Sequence, residues 1–192
     1  MSTDTELDRI FKLAIDKLAD AELKETIHRE AAVPVHLPQA ATEEEAETAT
    51  PEKAESMVNA IRDMSVPQKV KLAMLGNLTA RTILLRDSNR LVPMFVLENP
   101  RITDNEIIDI SKNTQVDEGV LRAIGNNGQW MKMYQVKFNL VQNPKTPLDA
   151  ALKWLKFIKE KDLGKLAKSK NIPQVISTQA RKLLEKRDGG HG

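Results

Sequence analysis

The side chains able to do chemistry are few, and their spacing suits little of it. The chain has no cysteine and three histidines, His28, His36 and His191. None of the three stands at metal-ligand spacing, so thiolate and imidazole metal sites are not expected. No histidine falls in the long stretch between His36 and His191 to serve a nucleophile as base, and no Gly-Xaa-Ser-Xaa-Gly elbow occurs. Gly125-Asn126-Asn127-Gly128 lacks the lysine of a phosphate loop and reads as a turn. The expectation is a protein that is not an enzyme, with no catalytic residue, no metal and no cofactor.

What remains is positive charge interleaved with a few aromatics. Trp130, Tyr134 and Trp154 lie near Arg122, Lys132 and Lys137, a pattern that can hold a phosphate backbone by charge and stack on bases. Trp154 borders an apolar stripe and reads as core, whereas Trp130, beside Asn126-Asn127 at a helix start, reads as surface. Lys153, Lys156 and Lys159 recur every third residue, followed by Lys165 and Lys168 and then Arg181 and Lys182. Two readings stand for this set: lysine keeping an outer helix face solvated, or a docking site for an acidic protein segment or nucleic acid. The candidate interaction surface is therefore Arg122, Trp130, Lys132, Lys153, Lys156, Lys159, Lys165, Lys168, Arg181 and Lys182. Arg81, Arg86, Arg90 and Arg101 form another set, read mainly as junction residues: at Arg86-Asp87-Ser-Asn-Arg90 the Asp can cap the next helix while the Arg pairs with it or with carbonyls of the preceding turn.

The net charge of +2 hides an asymmetry. Residues 1–60 carry six Lys/Arg against fourteen Asp/Glu, and residues 145–187 carry twelve against four. An acidic arm and a basic end suggest partners of opposite charge. Leu7, Ile10, Phe11, Ala14 and Leu18 make one apolar stripe, so residues 1–30 are expected to form an amphipathic helix, with self-association through residues 5–28 as one use of it. Three prolines and the acidic block Glu43–Glu47 mark 31–52 as a flexible linker. That block could fold back on the basic helices. No secretory leader and no membrane-spanning run is read, and with no cysteine the expected location is cytoplasmic.

Residues 53–187 carry the elements that must position any site, and 188–192 read as a disordered tail. Leu97-Glu-Asn99-Pro100-Arg101-Ile-Thr103 returns 44 positions later as Val141-Gln-Asn143-Pro144-Lys145-Thr-Pro147, with a looser copy at Lys112-Asn113-Thr-Gln-Val116. Self-similarity with a period of about 20–50 residues marks a stack of helical repeats. Asn77, Asn99, Asn113, Asn127, Asn143 and Asn171 read as helix stops that tolerate the left-handed conformation. Ser65/Gln68 and Thr103/Glu106 have capping-box spacing, and Thr146-Pro147-Leu-Asp149 reads as a further start with Asp in the capping role. The pattern predicts helices at 67–76, 79–86, 90–98, 104–112, 117–125, 128–142, 147–159, 161–169 and 173–187.

The phrase Asn143-Pro-Lys-Thr-Pro147-Leu-Asp-Ala-Ala-Leu152 resembles the repeat signature of the leucine-rich repeat variant family, close in style to HEAT repeats. The resemblance implies an all-α fold: a short helical-repeat solenoid over roughly 65–187, preceded by the amphipathic helix and the linker. It implies no catalytic residue, since such folds host many functions. The expected function is a non-enzymatic protein-interaction or scaffold module with the N-terminal helix as second contact. The alternative is a nucleic-acid-binding repeat protein using the basic C-terminal half. A helical-repeat DNA glycosylase of the alkylpurine type ranks below both, the chain being short for one.

Overall fold

The structure is a computed structural model that describes Glu25, residues 39–43 and residues 50–188. The expected N-terminal amphipathic helix (apart from Glu25), most of the linker, all three histidines and residues 189–192 lie outside the described residues. Among the described residues every regular element is helical, without a strand. They are α1 (Gln39–Thr42), α2 (Pro51–Arg62), α3 (Val66–Leu75), α4 (Leu78–Leu84), α5 (Leu91–Val96), α6 (Asp104–Lys112), α7 (Glu118–Asn126), a 3-10 turn (Trp130–Lys132), α8 (Tyr134–Gln142), α9 (Leu148–Leu155), α10 (Glu160–Lys168) and α11 (Gln174–Asp188). None of these helices is long and apolar enough to cross a membrane. The chain divides after Ile102 into two compact units.

In the first unit α3 packs against α1, α4 and α5, and α2 lies on α4. Its core is Val70, Leu72, Ala73 and Met74 against Ala80, Leu84, Val92, Phe95 and Val96. In the second unit α8 packs against α6, α7 and α9, while α11 covers α9 and α10. The start signals were legible: Ser65 N–H donates to Gln68 Oε1 at 2.8 Å, and Thr103 N–H to Glu106 Oε2 at 2.9 Å, the capping boxes expected from the spacing.

The asparagines act differently from the expectation. Asn113, Asn127 and Asn143 sit at φ −74°, −80° and −75°, and none of the described residues, glycine included, has a positive φ. They need no left-handed backbone because their side chains do the work. Each Oδ1 accepts the N–H two residues on, from Arg101 at Asn99, Gln115 at Asn113, Gln129 at Asn127 and Lys145 at Asn143, which closes a turn. Asn77 is a helix start: its Oδ1 accepts the Ala80 N–H.

Three of these asparagines are also buried clips. The Asn99 amide donates to the Ala73 and Gly76 carbonyls at 2.9 and 3.1 Å, and that of Asn143 to Ser111 and Asn113 at 3.0 Å each. Asn77 does the same for Ala40 and Glu43. Carbonyls at a helix end lack intrahelical partners, and burial without a donor is costly. The repeated phrase therefore encodes a side chain that turns its own backbone while satisfying a helix end far away in sequence.

Four other expectations are corrected. The stretch read as linker holds the helical turn α1, with Ala41 buried and its carbonyl accepting the Asn77 N–H at 2.8 Å. The helix expected at 128–142 is broken by Met133, whose ψ of 120° separates the 3-10 turn from α8. The helix expected at 147–159 stops at Leu155, and Lys159 is the extended residue that opens α10. Thr146 and Asp149 do not cap α9: Pro147 occupies the cap position, Asp149 pairs with Arg122, and the buried Thr146 hydroxyl has no partner.

Candidate interaction surface

The turn between α9 and α10 is the most unusual feature of the second unit. Phe157 N–H donates to the Trp154 carbonyl at 3.0 Å and Ile158 N–H to Leu155 at 3.2 Å, a tight reversal. Ile158 points inward among Leu155, Leu163, Leu166 and Ile176. From α11, Arg187 donates to the Lys156 and Ile158 carbonyls, 3.0 Å each. The carbonyls of the residues before and after Phe157 are thus held by one guanidinium, and Phe157 is left 59% exposed. An exposed phenylalanine on a fixed turn costs solvation without loosening the fold, and a buried aromatic anchor is what a binding surface needs.

The surroundings are aromatic and cationic. The Phe157 ring lies 5.6 Å from that of Trp154, centre to centre, at 47°. Lys153 Nζ stands 5.0 Å over the Trp154 ring, a cation–π contact. Trp154 is half-buried, as its position beside the apolar stripe suggested, and its Nε1–H donates to the Gly125 carbonyl at 3.1 Å. Next to it on α9 the exposed Asp149 takes both arms of Arg122 at 2.8 and 3.3 Å. That guanidinium hydrogen bond holds the Asp149 carboxyl below its ordinary value.

Across the turn, Tyr134 latches α8 to α10. Its hydroxyl donates to Asp162 Oδ2 at 2.7 Å and accepts the Lys159 N–H at 3.2 Å, and Lys159 Nζ sits 4.6 Å over the ring. Desolvation, then the bond to Asp162, raises the Tyr134 pKa. The Lys165 ammonium, 2.7 Å from Asp162, and the Tyr134 hydroxyl together lower that of Asp162.

The ten residues singled out in the sequence thus separate. Lys153 stands over the Trp154 ring that meets Phe157, the exposed Lys156 precedes Phe157 in the chain, and Arg122 is tied to Asp149 at the start of α9. Lys159 and Lys165 belong to the Tyr134–Asp162 latch. Lys132 donates to Gln129 at 2.7 Å beside the half-buried Trp130, and Arg181 to the Ala167 carbonyl at 3.4 Å. Lys168 and Lys182 are exposed on α10 and α11. Phe157 was missed because a helix continued to 159 gives it no distinctive place; only a stop at Leu155 exposes it.

The junction arginines are largely structural. Arg81 is buried and donates to the Gly76 carbonyl at 2.9 Å, and Arg101 donates to that of Thr42 at 2.7 Å. Asp87 pairs with Lys69 at 2.9 Å in place of the expected arginine and accepts the Asn89 N–H. Among the described residues no three His, Cys, Asp or Glu side chains gather as a metal site would require. No protein-family model, no curated protein and no solved structure matches this chain.

Proposed function

We propose that this chain is a non-enzymatic protein-interaction module that holds an acidic partner segment against the α9–α10 turn. The observation that carries the reading is Phe157, exposed on a turn whose carbonyls Arg187 holds, beside Trp154 with Lys153 over its ring and next in the chain to the exposed Lys156. A pre-ordered aromatic among cations supplies an anchor at low entropic cost and selects against basic partners. The reading includes a repeat architecture of the α-solenoid kind, supported by the like clips at Asn99 and Asn143. It also includes the cytoplasm as compartment, which the lack of cysteine favours, and the N-terminal segment as second contact.

Affinity capture from an extract of the source organism, with wild type and Phe157→Ser side by side, tests the reading. A specific protein retained by the first and lost by the second is expected; identical capture would refute it. The second reading, nucleic acid at this basic face, is favoured by the Lys153–Trp154 stack. It predicts binding to random duplex DNA or RNA that weakens steeply with salt, and the protein reading predicts none at low salt. The second contact is tested by removing residues 1–30, because a cut at 52 also removes the α1 turn that Asn77 holds.

A further inference from the structure

In the first unit a cleft of ≈ 550 Å³ opens between α2 and α4. Its apolar lining is Val58 and Ile61 from α2 and Ile83 from α4, with Val58 38% exposed. Val58 and Arg62 stand four apart on α2, so the guanidinium lies one helical turn along from the exposed valine. Arg86, in the turn after α4, supplies a second guanidinium from the opposite wall. The cleft's other charges cancel, since Lys69 is bound to Asp87 at 2.9 Å with both side chains mostly buried. The Thr82 hydroxyl is used by the Leu78 carbonyl. Arg62 and Arg86 are exposed and find no carboxylate among the described residues.

An apolar floor between two uncommitted guanidiniums has a definite complement. Guanidinium pairs with carboxylate through two parallel hydrogen bonds, and branched aliphatic walls take up an aliphatic side chain. A phosphodiester backbone would satisfy the arginines and leave the exposed Val58 and half-buried Ile83 wet. We propose that this cleft is a second docking site, independent of the Phe157 turn, for an acidic peptide segment of a partner protein that carries aliphatic side chains between its carboxylates.

The probe is a fluorescein-labelled octapeptide alternating glutamate with leucine, titrated with the full chain and read by anisotropy. Saturable binding is expected, at least tenfold weaker with Arg62→Glu plus Arg86→Glu and several-fold weaker with Val58→Ser. All three side chains are exposed, so circular dichroism should remain that of the wild type. The same losses should appear when Phe157→Ser is the background, which removes the anchor of the α9–α10 turn and keeps this result separate from it. Absence of saturation, wild-type affinity in the double arginine variant, or equal binding of a glutamate–serine octapeptide would each overturn the proposal. So would displacement of the peptide by a duplex DNA oligonucleotide, which would assign the arginines to phosphate.

Discussion

Asn99 and Asn143 each perform two tasks with one amide, and truncating either exposes both. Asn99→Ala leaves the buried Ala73 carbonyl without a donor and opens the turn to Arg101, while the Gly76 carbonyl keeps its bond from Arg81. A buried group left unpaired costs about 1–3 kcal/mol, so urea denaturation should show a loss of about 1–3 kcal/mol. Asn113→Ala removes only the turn bond to Gln115 and should cost under about 1 kcal/mol. Thr146 predicts the opposite sign. Its position, three after Asn143, is that of the buried Val116 after Asn113, yet it carries an unpartnered hydroxyl. Thr146→Val should stabilise by about 1 kcal/mol in the same assay, by removing a desolvated group of nearly equal size.

Helix starts depend on local chemistry, so α3, α6 and their capping boxes were legible in the spacing of Ser65/Gln68 and Thr103/Glu106. The stop of α9 was not, because it is fixed by Ile158 turning into the core and by Arg187, distant in sequence, reaching the turn. The candidate surface was legible as lysines but not as an exposed phenylalanine for that reason. Gly76 shows the same limit: an added Cβ would lie 2.5 Å from the Leu72 carbonyl oxygen and 2.8 Å from Ala80 Cβ. Gly76→Ala should therefore lower the melting temperature, although the glycine's backbone angles are ordinary. The Tyr134–Asp162–Lys165 latch ties two helices through a carboxylate, and its pH dependence follows. The Asp162 pKa is depressed in the fold, so its contribution is fully present above the unfolded value of about 3.9 and is lost as pH falls through the folded one. Asp162→Asn should be less stable than wild type at neutral pH, with the gap closing on acidification, as read by urea midpoints across the range.

At the scale of the whole molecule, the acidic first third and the basic last third leave little net charge but two distinct electrostatic characters. Many described polar groups are spent on structure: amides on helix ends, Asp149 on Arg122, Asp162 on Tyr134 and Lys165. In the second unit what stands uncommitted is a surface, and its centre is Phe157. The most direct measurement replaces Phe157 with a photo-crosslinking benzoylphenylalanine and, in a parallel sample, the exposed Asn105 of α6. Both are irradiated in extract of the source organism. The account predicts one dominant protein adduct at 157, absent at 105 and reduced when Lys153 and Lys156 are changed to glutamate. Equal adduct patterns at the two positions, or an adduct at 157 made of nucleic acid, would contradict it.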